Sequence, residues 1–132
     1  MIAINNGESL AKDVLEKNGI RKPEHINLTS IAIRENIIIN ERELDSIYGR
    51  IIRDDKCGII TVNGKIKTQE KKDFTIGHEL GHYYMDKAGN YYCNGNDMKY
   101  SSKQDKENFA NCFASELLMP EEFMKKYTTQ LS

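Results

Sequence analysis

The residues His78-Glu79-Leu80-Gly81-His82 constrain this chain more than any other stretch of it. They set two imidazoles four positions apart, with a carboxylate beside the first. On an α-helix, residues i and i+4 share a face about one turn apart. Two neutral ring nitrogens on that face can grip one metal ion, most often zinc, at about 2.0–2.1 Å each. Glu79 sits one step round the helix, suited to holding a water beside the metal rather than the metal itself. The chain has only three histidines, and two of them are here. A fold for this sequence therefore needs a helix through these residues and a third ligand brought to it from elsewhere.

The surroundings support the helix. Thr68 to Met85 contains no proline, and Phe74, Ile76, Leu80 and Met85 supply apolar anchors. Lys71 and Lys72 are good helix formers, whereas Gly77 and Gly81 each cost about 0.8–1 kcal/mol relative to alanine. A helix that accepts two glycines needs close approach by another element there. Gly81 directly precedes the second histidine, so that element would pack tightly against the metal site. Gly89 is the expected terminator.

A catalytic zinc takes three protein ligands and keeps one position open. A third histidine six residues after the second would extend the motif, but Met85 and Ala88 stand where glycine and histidine would be needed. His25 lies far upstream beside Pro23, where a helix start or loop is expected. Glu107 is the better candidate. Asp105 to Met119 reads as a strong helix with Phe109, Phe113 and Leu117 as one apolar stripe. Beside it run Glu107, Ala110, Asn111, Ala114 and Leu118. The small alanines allow close approach to Gly81, and the carboxylate would then reach the metal. Asn111, one turn on, could accept the free ring N–H of a metal-bound histidine and fix its tautomer. Glu116, Asp97 and Cys93 are the competing third ligands, with Glu116 on a different helix face from Glu107.

Two segments carry a family resemblance. Phe74-Thr75-Ile76-Gly77-His78-Glu79-Leu80-Gly81-His82 resembles the Phe-Thr-x-Ala-His-Glu-Leu-Gly-His signature of the ImmA/IrrE metallopeptidases. The run Glu107-x-x-Ala110-Asn111-x-Phe113-Ala114-x-x-Leu117-Leu118-Met119-Pro120 resembles that family's second motif, whose glutamate is the third metal ligand. Ile59-Ile60-Thr61-Val62-Asn63 resembles the strand before the active helix. The likeness covers roughly residues 20 to 122. Gly77 replaces the usual alanine. Lys71-Lys72-Asp73 replaces a segment that often carries arginines, and Asp86 stands where a histidine is often seen. These departures touch substrate preference and leave the metal ligands and Glu79 in place. The resemblance implies a zincin-like fold and one Zn²⁺ per chain held by His78, His82 and Glu107, with Glu79 as the base of peptide-bond hydrolysis. It also implies a protein partner, a helix-turn-helix repressor or antitoxin, encoded nearby in a mobile element or stress operon.

The remaining sequence supplies a scaffold. At 132 residues a single domain is expected, and a net charge of −1 with no phosphate-neutralising basic cluster gives no support for direct nucleic-acid binding. No signal peptide or membrane span is read in the sequence, which points to the cytoplasm. Cys57, Cys93 and Cys112 lack zinc-finger spacing and are expected as reduced thiols. Glu8 to Asn18 reads as a helix stopped by Gly19, with Leu10, Val14 and Leu15 inward. Pro23 opens a second helix to about Arg34, facing inward with Leu28, Ile31 and Ala32. Ile37–Ile39, Ile47–Arg53 and Gly58–Val62 read as strands, the last two antiparallel around Arg53-Asp54-Asp55-Lys56. Asn63-Gly64 is read as a turn into the active helix. Gly89 to Lys103 is a polar segment whose Tyr91, Tyr92 and Tyr100 are candidates to assist an oxyanion. The expected architecture is α+β: a small, mostly antiparallel sheet packed on helices, with the metal between two of them. An extended substrate would pair with an edge strand, for which Gly58–Val62 is the candidate. Two alternatives share parts of this reading. A non-cleaving metal-binding regulatory module would act through protein–protein interaction. A structural zinc domain is disfavoured, because such sites close all four positions with Cys and His.

Overall fold

The computed structural model describes residues 2–88, 103–121 and 123. In chain order these form α1 (Ile2–Lys17), a 3₁₀ turn (Pro23–His25), α2 (Leu28–Arg34), β1 (Ile37–Arg42), β2 (Gly49–Arg53), β3 (Gly58–Asn63), α3 (Gln69–Ala88) and α4 (Lys103–Leu118). The class is α+β, as expected. Among the described residues no helix is long and apolar enough to cross a membrane. Gly89, Cys93, Asp97, Tyr91, Tyr92 and Tyr100 lie outside the described residues.

Local chemistry explains the helix ends. Gly19, at φ 67°, closes α1, and the Ile20 N–H reaches back to the Leu15 carbonyl at 3.0 Å. The α1 helix begins well before the expected Glu8. Gly7 lies inside it because the helix crosses α4 there, where a Cβ would stand 2.6 Å from the Phe109 carbonyl oxygen. The expected helix from Pro23 to Arg34 is in fact broken. Pro23–His25 makes a single 3₁₀ turn, and Asn27 then caps α2 by accepting the Ser30 N–H at 3.0 Å. An asparagine in extended conformation is a better helix start than a helix interior, and the cap decides the outcome.

The sheet departs from the expected one. Its order is β1-β3-β2, with β1 parallel and β2 antiparallel to β3. It is therefore mixed rather than mostly antiparallel, and Gly58–Val62 belongs to the central strand rather than an edge. The hairpin between β2 and β3 forms as read: Asp54 Oδ1 accepts the N–H groups of Lys56 and Cys57 at 2.8 and 2.9 Å. The hairpin docks on β1 through β3, pairing Ile37 with Gly58 and Arg42 with Asn63. The nearly continuous burial of β3 fits its central place. Ile60 and Val62 face the core, while Ile38, Ile59 and Ile52 line up across the strands on the exposed face.

The core forms where the helices meet this sheet. Phe109, Phe113 and Leu117 are fully buried along one stripe of α4, with Leu10, Val14, Ile31, Ile60, Ile76 and Leu80 around them. Two polar hubs fix α3 against the rest. At its entrance, Asn63 is buried and uses both ends of its amide. Its Oδ1 accepts from the Leu44 and Lys65 N–H groups, and its Nδ2 donates to the Leu44 and Ile47 carbonyls. Toward its far end, Glu35 accepts hydrogen bonds from Tyr83 Oη at 2.8 Å, Tyr84 Oη at 3.3 Å and Lys87 Nζ at 2.7 Å.

Burial alone would raise the Glu35 pKa, but the bonds from Lys87, Tyr83 and Tyr84 outweigh it and hold the carboxyl below its ordinary value. A folded pKa below the unfolded one gives stability that is fully present above about pH 4.3 and lost as pH falls through the folded value. Glu35→Gln should therefore cost about 1–2 kcal/mol near neutral pH. The difference from wild type should shrink toward zero as the pH falls through and below the folded value. Urea denaturation of both proteins across that range measures it; a constant difference at every pH would remove the charge from the account.

Candidate metal centre

The α3 helix runs through His78, Glu79 and His82 as one continuous element. The α4 helix packs against it on the line expected from the small residues. A Cβ on Gly81 would stand 3.0 Å from the Ala110 Cα and 3.2 Å from its carbonyl oxygen, and one on Gly77 would stand 3.1 Å from the Ala114 Cβ. Backbones this close let the short Glu107 side chain cross from the first turns of α4. His78 Nε2 lies 2.9 Å from Glu107 Oε1, His82 Nε2 lies 2.8 Å from Glu107 Oε2, and the two Nε2 atoms are 3.1 Å apart. The two rings meet edge to face, with centroids 4.7 Å apart.

Asn111 fixes what these atoms present to one another. Its Oδ1 lies 2.7 Å from His78 Nδ1 and, as an acceptor, calls for the proton on that nitrogen. In neutral His78 the Nε2 then carries a lone pair. That lone pair points at a carboxylate oxygen and at the second imidazole nitrogen, so either a proton on His82 Nε2 or a metal cation offsets the repulsion among these groups. Ligand atoms at about 2.0–2.1 Å from a tetrahedral zinc are themselves about 3.3 Å apart. The observed 2.8, 2.9 and 3.1 Å separations fall within a few tenths of an ångström of that spacing. The donor set, two imidazoles and one carboxylate, also matches a three-ligand site with an open position. The residues fit a metal ion.

Glu79 is in a different situation. It is partly buried and makes no hydrogen bond or ion pair among the described residues. Burial pushes its carboxyl above the ordinary value; the His78 ring opposes this and the Glu107 carboxylate adds to it. Burial likewise pushes the His82 imidazole below its ordinary value, against the pull of Glu107. Both effects favour an uncharged donor at His82 and a basic carboxylate at Glu79.

The other candidates stand apart. His25 lies in the 3₁₀ turn, where its Nδ1 faces the Arg21 N–H at 3.5 Å. Glu116 is on α4 but on another face, accepting the Glu121 N–H at 3.2 Å. Asp86, exposed and one turn beyond His82, pairs with Arg53 at 3.8 Å. Sequence reasoning missed Gly49. Strand β2 packs onto α3 there so tightly that a Cβ would stand 2.6 Å from Thr75 Cγ2 and 3.8 Å from Glu79 Cγ. A glycine opening a strand was the only signal available for that contact.

With this geometry in hand, comparison with known families adds the class. The IrrE N-terminal-like domain (Peptidase_M78) matches residues 32–131, and the chain belongs to that family. The domain is thus of peptidase type, and its His78–His82–Glu107 group could hold a metal ion. No curated protein matches the chain.

Replacing His78 or Glu107 by alanine should abolish stoichiometric metal uptake and remove the gain in melting temperature that added zinc gives the parent protein. Elemental analysis and thermal scans with and without zinc check both; a Glu107→Ala protein that keeps one zinc at unchanged affinity would take Glu107 out of the site. Gly81→Val should force α3 and α4 apart, costing about 1–3 kcal/mol and weakening zinc binding, read by the same two measurements.

Proposed function

We propose that this chain is a zinc-dependent endopeptidase that cuts one or a few bonds in a protein partner, a helix-turn-helix repressor or antitoxin. The observation that carries the reading is the convergence of His78, His82 and Glu107 beside a half-buried Glu79 that has no hydrogen-bond or ion-pair partner among the described residues. Membership of a peptidase family supports it. His78, His82 and Glu107 would hold the ion, and Asn111 would orient His78. Bound zinc would supply a Lewis acid for a peptide carbonyl and lower the pKa of a water to about 7. Glu79 takes a proton from the attacking water and passes it to the leaving amine, a role its raised pKa favours.

The substrate strand has a place to lie. Strand β2 is at the sheet edge, pairs only with β3 among the described residues, and approaches Glu79 through Gly49. It replaces Gly58–Val62 as the strand to which an extended peptide would pair through its backbone. Such pairing accepts only a segment that can extend, so the cut should fall in a locally unfolded part of the partner. A zincin-like arrangement of sheet edge, active helix and metal is the reading these contacts support.

Glu79→Gln should keep the metal and the fold and lose cleavage by about 10²–10⁴-fold, because an amide cannot take the proton. Zinc-loaded wild type and variant are incubated with the neighbour-encoded repressor and the fragments mapped by mass spectrometry. Equal cleavage by both would sink the role of Glu79. Zinc and partner bound without any cleavage by wild type would make the chain a non-cleaving regulatory module, and unselective digestion of denatured casein would make it a general peptidase.

A further inference from the structure

A second feature lies on the same face of α3 as Glu79. Lys71, Thr75 and Glu79 follow one another at four-residue spacing, so they share one side of the helix. Around Lys71 opens a recess of about 340 Å³ lined by Tyr48, Ile66, Thr68 and the exposed side chains of Lys65, Lys67 and Lys71, with Asn63 at its base. Asn63 accepts the Lys65 N–H at 3.0 Å, and its own N–H donates to the Tyr48 carbonyl at 2.7 Å, so one buried amide residue fixes both sides. Lys71 Nζ sits over the Tyr48 ring, 4.1 Å from its centroid.

The charges in this cavity are uncompensated. Lys72, next along the chain, is held by Glu41 at 3.2 Å. Among the described residues Lys65, Lys67 and Lys71 have no carboxylate within ion-pair distance. Three exposed lysines bordering one concave space favour an anionic group.

The cavity also has a defined position relative to the proposed cut. Strand β2 runs from Gly49, against Thr75, to Arg53, which pairs with Asp86 and lies over the Tyr83 ring. Strand and helix therefore point the same way, and the cavity lies at the Tyr48 end of both. A peptide laid antiparallel to β2, the orientation proposed for the substrate, would have its C-terminal part at that end. Lys71 precedes Glu79 by eight residues, about 12 Å along the helix axis. An extended chain covers that distance in about four residues.

We infer that the Lys65–Lys67–Lys71 cavity is a specificity subsite that takes an aspartate or glutamate side chain of the peptide, within about four residues on the C-terminal side of the cleaved bond. This deepens the peptidase reading and rests on it for the location of the cut. The occupant is a carboxylate on a peptide, because the cavity continues the edge of β2 that is unpaired among the described residues and offers backbone pairing to an extended chain.

The test uses a randomised decapeptide library. It is affinity-selected on zinc-loaded Glu79→Gln protein, and in parallel on that protein carrying Lys65→Gln, Lys67→Gln and Lys71→Gln. The first selection should enrich Asp and Glu about three- to tenfold at one or two positions, and the second should lose that enrichment. Restoring Lys71 as Lys71→Arg should recover part of it. Wild-type protein then digests the same library, and acidic residues should gather just C-terminal to the cuts. Acidic enrichment that depends on the lysines, with no cleavage by wild type of either the library or the neighbour-encoded repressor, upholds the subsite and removes the peptidase reading. Digestion with a flat profile, or with one unchanged by the three substitutions, overturns the subsite and leaves the peptidase standing. No retained peptides, or lysine-dependent retention of a single-stranded DNA oligonucleotide in place of acidic peptides, also overturns it.

Discussion

The distance between α3 and α4 is set by Gly81 against Ala110, and everything at the metal centre depends on it. A glutamate side chain is short, and Glu107 reaches both histidines only because nothing larger than hydrogen stands between the two backbones at that level. The helix pays for this with a weak internal residue, since glycine lowers helix stability by about 1 kcal/mol relative to alanine. The compensation is packing: Phe113 and Leu80 are fully buried on either side of the contact. The same closeness forces two imidazole nitrogens and a carboxylate together with Asn111 holding one tautomer. A cation held among them would add to the stability of this helix pair.

The α3 helix is also held at points outside this contact. Asn63 ties the chain entering it to the loop before β2, and Glu35 ties its C-terminal half to the end of α2. Between these anchors, Gly49 presses β2 onto Thr75. The result is a helix whose histidines look toward α4 while its glutamate looks toward a sheet edge. The proposed metal and peptide sites would thereby lie on adjacent sides of one rigid element, leaving Glu79 outside the ligand set and beside a chain laid along β2.

What could be read from the sequence was whatever had a local period. The His78–His82 spacing, the Phe109–Phe113–Leu117 stripe, and the line from Glu107 through Ala110 to Asn111 all repeat with the helix, so their shared faces were legible. The β2–β3 hairpin was legible because Asp54 and the residues after it form a turn by local hydrogen bonds. Strand order was not. Pairing of β1 with β3 joins segments separated by a whole strand, and alternation along one strand says nothing about its neighbour. The error about the edge followed from that. Asn27 was hidden for another reason: after Pro23 it could continue a helix or restart one, and only the cap bond distinguishes the two. Glu35 looked like any surface glutamate between a helix and a strand, because its three partners come from far along the chain.

The lysine cavity shows how a near-neutral net charge can conceal a directional field. The chain sums to −1, yet Lys65, Lys67 and Lys71 border one recess beside Tyr48, while Glu79 and Glu107 lie at the candidate metal site. Backbone pairing to an edge strand is nearly indifferent to side chains, so by itself it fixes neither register nor orientation. Lysines at one end of the groove would fix the register, since sliding the chain by a few residues carries a seated acid out of their reach. The ion that Glu107 would help to hold is doubly positive, so the metal end offers an acid no net repulsion, and discrimination rests on the distance between the lysines and Glu79. Lysines about 12 Å along the helix axis from the base would place one bond of such a chain at Glu79.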